Sequence, residues 1–344
     1  MAEVRARAPG KIILSGEHAV VHGSTAIAAA INLFTHVSFR LDPSLPPGNG
    51  DGSVGLELKD LGLAFSWSPS RLKEGLGDAA TVPSTPVSCS PERIKLIAAL
   101  VEEHDIPEAK IWLSSGISAF IHLYTSIHGY RSTPILFISC LIICLYLIPL
   151  FIKLQARKSG HLLGSSSWLG PRFICVILRG MIQFKLGELI HIESSAPLRM
   201  LITNTKVGRN TKALVAGVSE RASRHPDAMA AVFAAVNSIS KELSTIIQSP
   251  ALDDISVTAR EEKIEELMEM NQGLLQCMGV SHASIETVLR ATMKYKLTSK
   301  LTGAGGGGCV LTLLPTCILL VLCHLIKCLA FTFPRTTSLI LSLR

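Results

Sequence analysis

Thr302 to Cys309 read TGAGGGGC, and this run lies directly between SKL, ending at Leu301, and the strand-like VLTLL that begins at Val310. A flexible linker of that glycine content is padded with Ser or Pro and flanked by polar residues. A glycine run wedged between two elements reads instead as a tight loop whose bare main chain approaches an anion through its N–H groups. No Lys-Ser or Lys-Thr follows, as a Walker A loop requires, and the run does not match G-x-G-x-x-G in a strand-to-helix unit. Alone, the loop fits a phosphate or nucleotide contact and a purely structural turn equally well.

A second motif, APGKIILSGEHAVVHG at Ala8–Gly23, places Lys11, Glu17 and His18 between glycines. Lys11 can neutralise a phosphate or lower the pKa of a substrate hydroxyl, and a turn at Ser15–Glu17 would aim Glu17 and His18 inward. The bland alternative is a surface lysine beside a hairpin. His18 and His22 are four apart, but Ala19 stands where H-E-x-x-H needs Glu, which argues against zinc.

The chain of 344 residues is long enough for two domains. Its formal net charge of +7 is local: the interval between Glu108 and Glu188 holds eight basic residues and no acid, leaving 25 basic against 26 acidic residues elsewhere. That balance removes the main support for a nucleic-acid partner. The nine cysteines form no C-x-x-C pair and read as reduced, and Gly10, Glu17, His18 and His22 interrupt any secretory h-region, so a cytoplasmic location is expected.

Along the chain, residues 1–40 read as a short strand, a turn around Pro9 and Gly10, and a second apolar stretch through Ile31, with VSFRL at Val37–Leu41 alternating as a strand does. Pro43–Ser53 is a loop. Glu92–His104 and Ser114–His128 have helical spacing. PILFISCLIICLYLIPLFI at Pro134–Ile152 is nineteen residues without a charge, enough to span a bilayer, although Pro149 and the lack of a second clean span favour a buried core segment somewhat more. From Gly180, MIQF, ELIHI and LRMLITNT read as strands. Asn210 reads as an N-cap, and Asp227–Ile247 and Glu261–Met278 read as helices, the latter closed by Gly279. ILLVLCHLIKCLAF at Ile318–Phe331 is again apolar, but His324 and Lys327 make a span there less favourable.

Together, PGKIILSGEHAVVHG and KLTGAGGGGC resemble the first and third motifs of the GHMP kinases, and within them the mevalonate kinases. LITNTKVGRNTKALVAGV at Leu201–Val218, EELMEMNQGLLQCMGVSHASIETV at Glu265–Val288 and RGMIQFK at Arg179–Lys185 are similar to the same family. The resemblance covers residues 4–130 and 180–314. It implies an α+β fold of two domains, a ribosomal-protein-S5-like N-terminal domain over residues 1–195 and a ferredoxin-like C-terminal domain over 196–344. It further implies ATP- and Mg²⁺-dependent phosphorylation of mevalonate, in a homodimer. By the resemblance Lys11 is catalytic, beside the attacked hydroxyl. Glu17, His18, Thr203 and Thr205 line the substrate pocket, and Gly303, Ala304, Gly305, Gly306, Gly307 and Gly308 pack by the nucleotide.

The family's second motif, a glycine- and serine-rich phosphate loop, has no full copy. The nearest text is GHLLGSSSW at Gly160–Trp168, where Gly164, Ser165 and Ser166 match and Leu162 replaces a glycine; Ser166 would be the Mg²⁺-holding hydroxyl. Residues 132–179, where the family's Mg²⁺-binding Glu and Asp base fall, contain no carboxylate, and after Leu314 the expected last strand and helix give way to apolar sequence. A catalytically inactive relative, the product of an aberrant transcript, and a membrane-inserted protein are therefore the alternatives to an active kinase.

Overall fold

The computed structural model describes residues 2–41, 54–58, 61–77, 90–107, 113–128, 180–208, 210–316 and 337–343. The loop at 43–53, the apolar runs 134–152 and 318–331, and Gly164, Ser165 and Ser166 lie outside the described residues. Two compact units emerge: of the described residues, one contains 2–8 and 34–128, the other 9–33 and 180–343. This grouping differs from a single boundary after residue 195. Residues 9–33 and 180–195 belong with the C-terminal part, because Ile12, Leu14, Ile27, Met181 and Ile192 share one core with Met200, Leu311 and Leu341.

In the first unit, β3 (Val54–Leu58) and β4 (Leu63–Trp67) form an antiparallel hairpin followed by α1 (Pro69–Leu76), α2 (Pro91–Glu102) and α3 (Ser114–His128). Serine sets the start of two of these helices: Ser68 accepts the Arg71 N–H and Ser90 the Arg93 N–H, with proline next in each case. Phe65, Trp67, Leu72, Ile97, Leu100, Ile117 and Ile121 make the core, and the Trp67 indole N–H donates to the Leu100 carbonyl at 3.2 Å.

The second unit holds a four-stranded sheet, order β1-β2-β5-β6, from β1 (Ala2–Ser15), β2 (Ala26–Leu41), β5 (Met181–Lys185) and β6 (Glu188–Ile192). The ends of β1 and β2 at residues 2–8 and 34–41 group with the first unit. β1 runs straight through Pro9 and Gly10, where a turn was expected. A Cβ on Gly10 would sit 3.1 Å from the Ile31 side chain, so the glycine serves close packing rather than chain reversal.

A second sheet, order β10-β7-β9-β8, is built from β7 (Leu198–Asn204), β8 (Ser299–Thr302), β9 (Cys309–Leu313) and β10 (Thr337–Leu343), with antiparallel pairing throughout. The tail after Leu314 thus does supply a strand, paired with β7. Between β7 and β8 come α4 (Thr211–Arg224), α5 (Pro226–Gln248), α6 (Asp254–Cys277) and α7 (Ala283–Met293). Strand alternation divides this sheet's side chains between two cores. Met200, Ile202, Leu311 and Leu313 join the cluster of Ile239, Leu243, Ile264 and Leu267, whereas Leu201, Leu301 and Val310 join Val218, Met278, Ile285 and Val288. α5 is long and apolar enough by composition to cross a membrane, but its stripe of Val236, Ile239, Leu243 and Ile247 is buried in these cores.

Asn210 caps α4 as expected, accepting the Ala213 N–H at 3.1 Å. Gly279 follows α6 at φ 76, in the conformation expected of a helix-closing glycine.

Candidate active site

β1 ends at Gly16, whose φ of 96 and contacts admit no side chain: a Cβ would lie 2.4 Å from the Ala26 Cα and 2.5 Å from the Thr25 carbonyl. The chain reverses there, and a single 3₁₀ turn over Ala19–His22 returns it to β2. The turn is fastened to α5. Ser15 and Ser240 share a hydroxyl–hydroxyl bond of 2.8 Å, Ser24 donates to the Phe233 carbonyl at 2.9 Å, and Thr25 donates its N–H and hydroxyl to Asn237 Oδ1 at 3.0 and 2.9 Å. His22 stacks on Phe233 at 4.2 Å between ring centroids.

This anchoring drives Glu17 and His18 inward, to 2% and 5% exposure. His18 has a positive φ of 57 with ψ −48, a backbone conformation rare for a residue with a side chain. Its Nε2 lies 2.8 Å from the Ala304 carbonyl. A carbonyl only accepts, so Nε2 carries the proton.

The glycine run joins β8 to β9 as the loop of a hairpin whose last pair is Thr302 with Cys309. Gly303, Gly305, Gly306, Gly307 and Gly308 all have positive φ. At Gly305 the requirement is absolute, since a Cβ would fall 2.0 Å from the Val280 carbonyl oxygen. Not every amide of the loop faces an anion, as the bare-loop reading supposed: the Gly306 N–H donates to the Val280 carbonyl at 2.7 Å. Thr205 closes the far end, its N–H and hydroxyl both donating to the Gly308 carbonyl, at 2.8 and 2.9 Å.

Lys11 is half-buried on β1, on the strand face it shares with Ile13. Ile13 is joined to β8 twice over, since its N–H donates to Thr302 Oγ1 and that hydroxyl donates to the Ile13 carbonyl, each at 2.9 Å. Thr203 is fully buried inside the second sheet, opposite Val310. Glu17, His18 and Thr205 therefore converge on β8 and the glycine loop within the second unit; Lys11 lies on β1 two residues before Ile13, and Thr203 is internal to the sheet.

Sequence reading missed Lys300. It has no exposed surface, and its ammonium donates to Glu17 Oε1 at 2.5 Å and to the Leu301 carbonyl at 2.7 Å. Burial presses the ammonium below the ordinary lysine range, and the Glu17 carboxylate opposes that shift. The available signal was a charged residue directly before the glycine run in a stretch otherwise fit for a buried strand.

A strand bearing a lysine, a turn bearing an inward His, and a glycine loop clasped between them form the site of a phosphoryl-transfer enzyme. Residues 256–316, which include the glycine loop, match the family described as GHMP kinases C terminal. The chain is 53% identical over 349 residues to mevalonate kinase of Arabidopsis thaliana, covering 91% of this chain and 91% of that one. Among solved structures it resembles Methanococcus jannaschii mevalonate kinase, with TM-score 0.61, 20% identity, and 100% and 99% of the two chains covered. It also resembles L. major mevalonate kinase in complex with R-mevalonate, with TM-score 0.59, 16% identity, and 99% and 96% covered. The chain belongs to the mevalonate kinase family of the GHMP kinases.

Proposed function

We propose that this chain transfers the γ-phosphoryl group of ATP to the 5-hydroxyl of mevalonate. The observation that carries the reading is the joining of the Lys11 strand to the entry of the glycine loop through Ile13 and Thr302, with Lys11 two residues from Ile13 on the same strand face. In phosphoryl transfer the transition state is loose and catalysis is mostly positioning and charge neutralisation. Lys11 supplies the charge, offsetting the developing negative charge and making the hydroxyl more acidic. The loop supplies close main-chain approach to phosphate oxygens, and His18 Nε2–H holds the loop's Ala304 carbonyl in place.

In this proposal the loop meets ATP phosphates through its main-chain N–H groups, while the bareness of Gly305, Gly306 and Gly307 lets it pack against Val280, Leu214 and Val207, which a Cβ would meet at 2.0, 2.8 and 2.9 Å. Among the described residues no cluster of three or more His, Cys, Asp or Glu side chains would hold Mg²⁺, so the ion enters this proposal on the nucleotide's own oxygens. A homodimer, through the family resemblance, and a cytoplasmic location belong to the same proposal.

A second reading, a chain that binds both substrates without turning them over, rests on the lack of any Asp or Glu between residues 109 and 187. A positioned base contributes about 10²–10⁴ in rate, so its loss slows the reaction without abolishing binding. Thermal unfolding with and without Mg-ATP and mevalonate tests the shared premise. Each ligand is expected to raise the Tm at concentrations above its Kd. No shift with either ligand contradicts both readings.

A further inference from the structure

The contacts between the N-terminal motif and the glycine hairpin follow a period of two. Lys300 bonds Glu17, Thr302 bonds Ile13, and Ala304 bonds His18, so three alternate residues of one strand and its loop engage the end of β1 and the turn that follows it. Only the first of these contacts is ionic, and it is the most deeply buried. Lys300 has 0% and Glu17 2% exposure. Leu301, between the two clasping residues, donates its N–H to Gln272 Oε1 of α6 at 2.9 Å, so β8 is also held from the helix side.

A buried ion pair is a poor source of net stability, because desolvating both charges offsets most of their attraction; its usual use is to specify one arrangement over others. Here the alternative arrangement is easy to name. A hairpin with five loop glycines at positive φ has many accessible backbone states. A slip of one residue along β8 would turn Lys300 to the opposite face and bring Leu301 against the Glu17 carboxylate. Such a slip leaves two buried charges unpaired.

We infer that Glu17 and Lys300 are a positioning pair that locks the glycine loop in register with the His18 turn, and that Glu17 acts through Lys300 rather than by binding substrate. This deepens the kinase reading at the same site. It departs from the substrate-pocket role that family resemblance assigns to Glu17.

The test compares Glu17→Gln, Lys300→Met and the double variant with the intact chain, by hydrogen–deuterium exchange of the segment 303–308 and by steady-state kinetics. Exchange needs no turnover, so it separates this inference from the activity itself. In Glu17→Gln, loop amides are expected to exchange about tenfold faster while α2 is unchanged. The double variant, with neither charge left buried, is expected to regain most of the Tm while its loop still exchanges fast, and it serves should Lys300→Met fail to fold. Where the intact chain turns over, both Glu17→Gln and the double variant raise KM for ATP and mevalonate together and lower kcat. Unchanged loop exchange in Glu17→Gln overturns the inference. So does a double variant with native loop protection, or a Glu17→Gln effect confined to KM for mevalonate.

Discussion

Thr205 gives both of its donors, backbone N–H and hydroxyl, to the single carbonyl oxygen of Gly308, at 2.8 and 2.9 Å. The glycine loop is therefore fixed at its exit by the residue that follows β7, as it is at its entry by Thr302. Thr205→Val keeps the shape and the backbone bond and removes the hydroxyl. It is expected to cost about 1 kcal/mol, lowering the Tm by roughly 2–4 °C, with Thr205→Ser close to the original. Differential scanning calorimetry of the two variants measures the difference.

Two glycines should respond to alanine in opposite directions. At Gly305 the added Cβ meets the Val280 carbonyl oxygen at 2.0 Å and φ is +72, so Gly305→Ala is expected to destabilise by about 2–4 kcal/mol and to displace the loop. At Gly217, inside α4, a Cβ meets nothing within 4 Å. Gly217→Ala is expected to stabilise by about 0.5–1 kcal/mol, since the helix loses a flexible residue. Urea denaturation monitored by circular dichroism gives both signs.

Arg260 is 5% exposed and its guanidinium donates to the carbonyls of Ile246 at 3.2 Å and Ile247 at 3.1 Å, at the end of α5, and to the Ala196 carbonyl at 3.3 Å and Ser194 Oγ at 3.2 Å, between β6 and β7. The Ile246 and Ile247 carbonyls carry the negative end of the helix dipole. Arg260→Ala strands several buried acceptors and is expected to cost about 2–4 kcal/mol, with Arg260→Lys recovering only part because an ammonium cannot reach all of them. Chemical denaturation reads the loss.

Glu265 gives a pH signature. Burial first, and then Glu261 and Glu262, hold its carboxyl above the usual glutamate range, and its Oε1 has no hydrogen-bond partner among the described residues. With the folded pKa raised, the native state holds the proton more tightly than the unfolded chain. Stability is thus intact below about pH 4.5 and falls as pH rises from there through the folded pKa. Glu265→Gln is expected to raise the Tm by roughly 1–3 °C at pH 7 and to leave it unchanged at pH 4. A Tm gain equal at both pH values would contradict the ionisation argument.

Much of the fold can be read locally. The periodicity of α2 and α3, the Asn210 cap, and the short strands at Met181–Lys185 and Glu188–Ile192 agree with the structure because each rests on neighbours in sequence. α6 begins at Asp254, seven residues ahead of the expected Glu261. The signal was present in Asp253 and Ser256, which form a reciprocal capping box, but the polar first turns hide the apolar stripe. Pro9 and Gly10 misled because they punctuate a chain only where no neighbouring strand demands a small residue, and Ile31 demands one. Lys11, Glu17, His18 and the glycine loop stand out as candidates in the two glycine-flanked motifs, and the structure joins His18 to that loop at Ala304. Lys300 does not stand out, because its meaning depends on a carboxylate 283 residues away.

The most direct test of the central claim is mevalonate-dependent ADP formation from Mg-ATP by the purified chain, with Lys11→Ala in parallel. The account predicts turnover that requires mevalonate and falls by at least about 10²-fold in Lys11→Ala. A folded chain that forms no ADP above background, or a Lys11→Ala variant as active as the original, would contradict it.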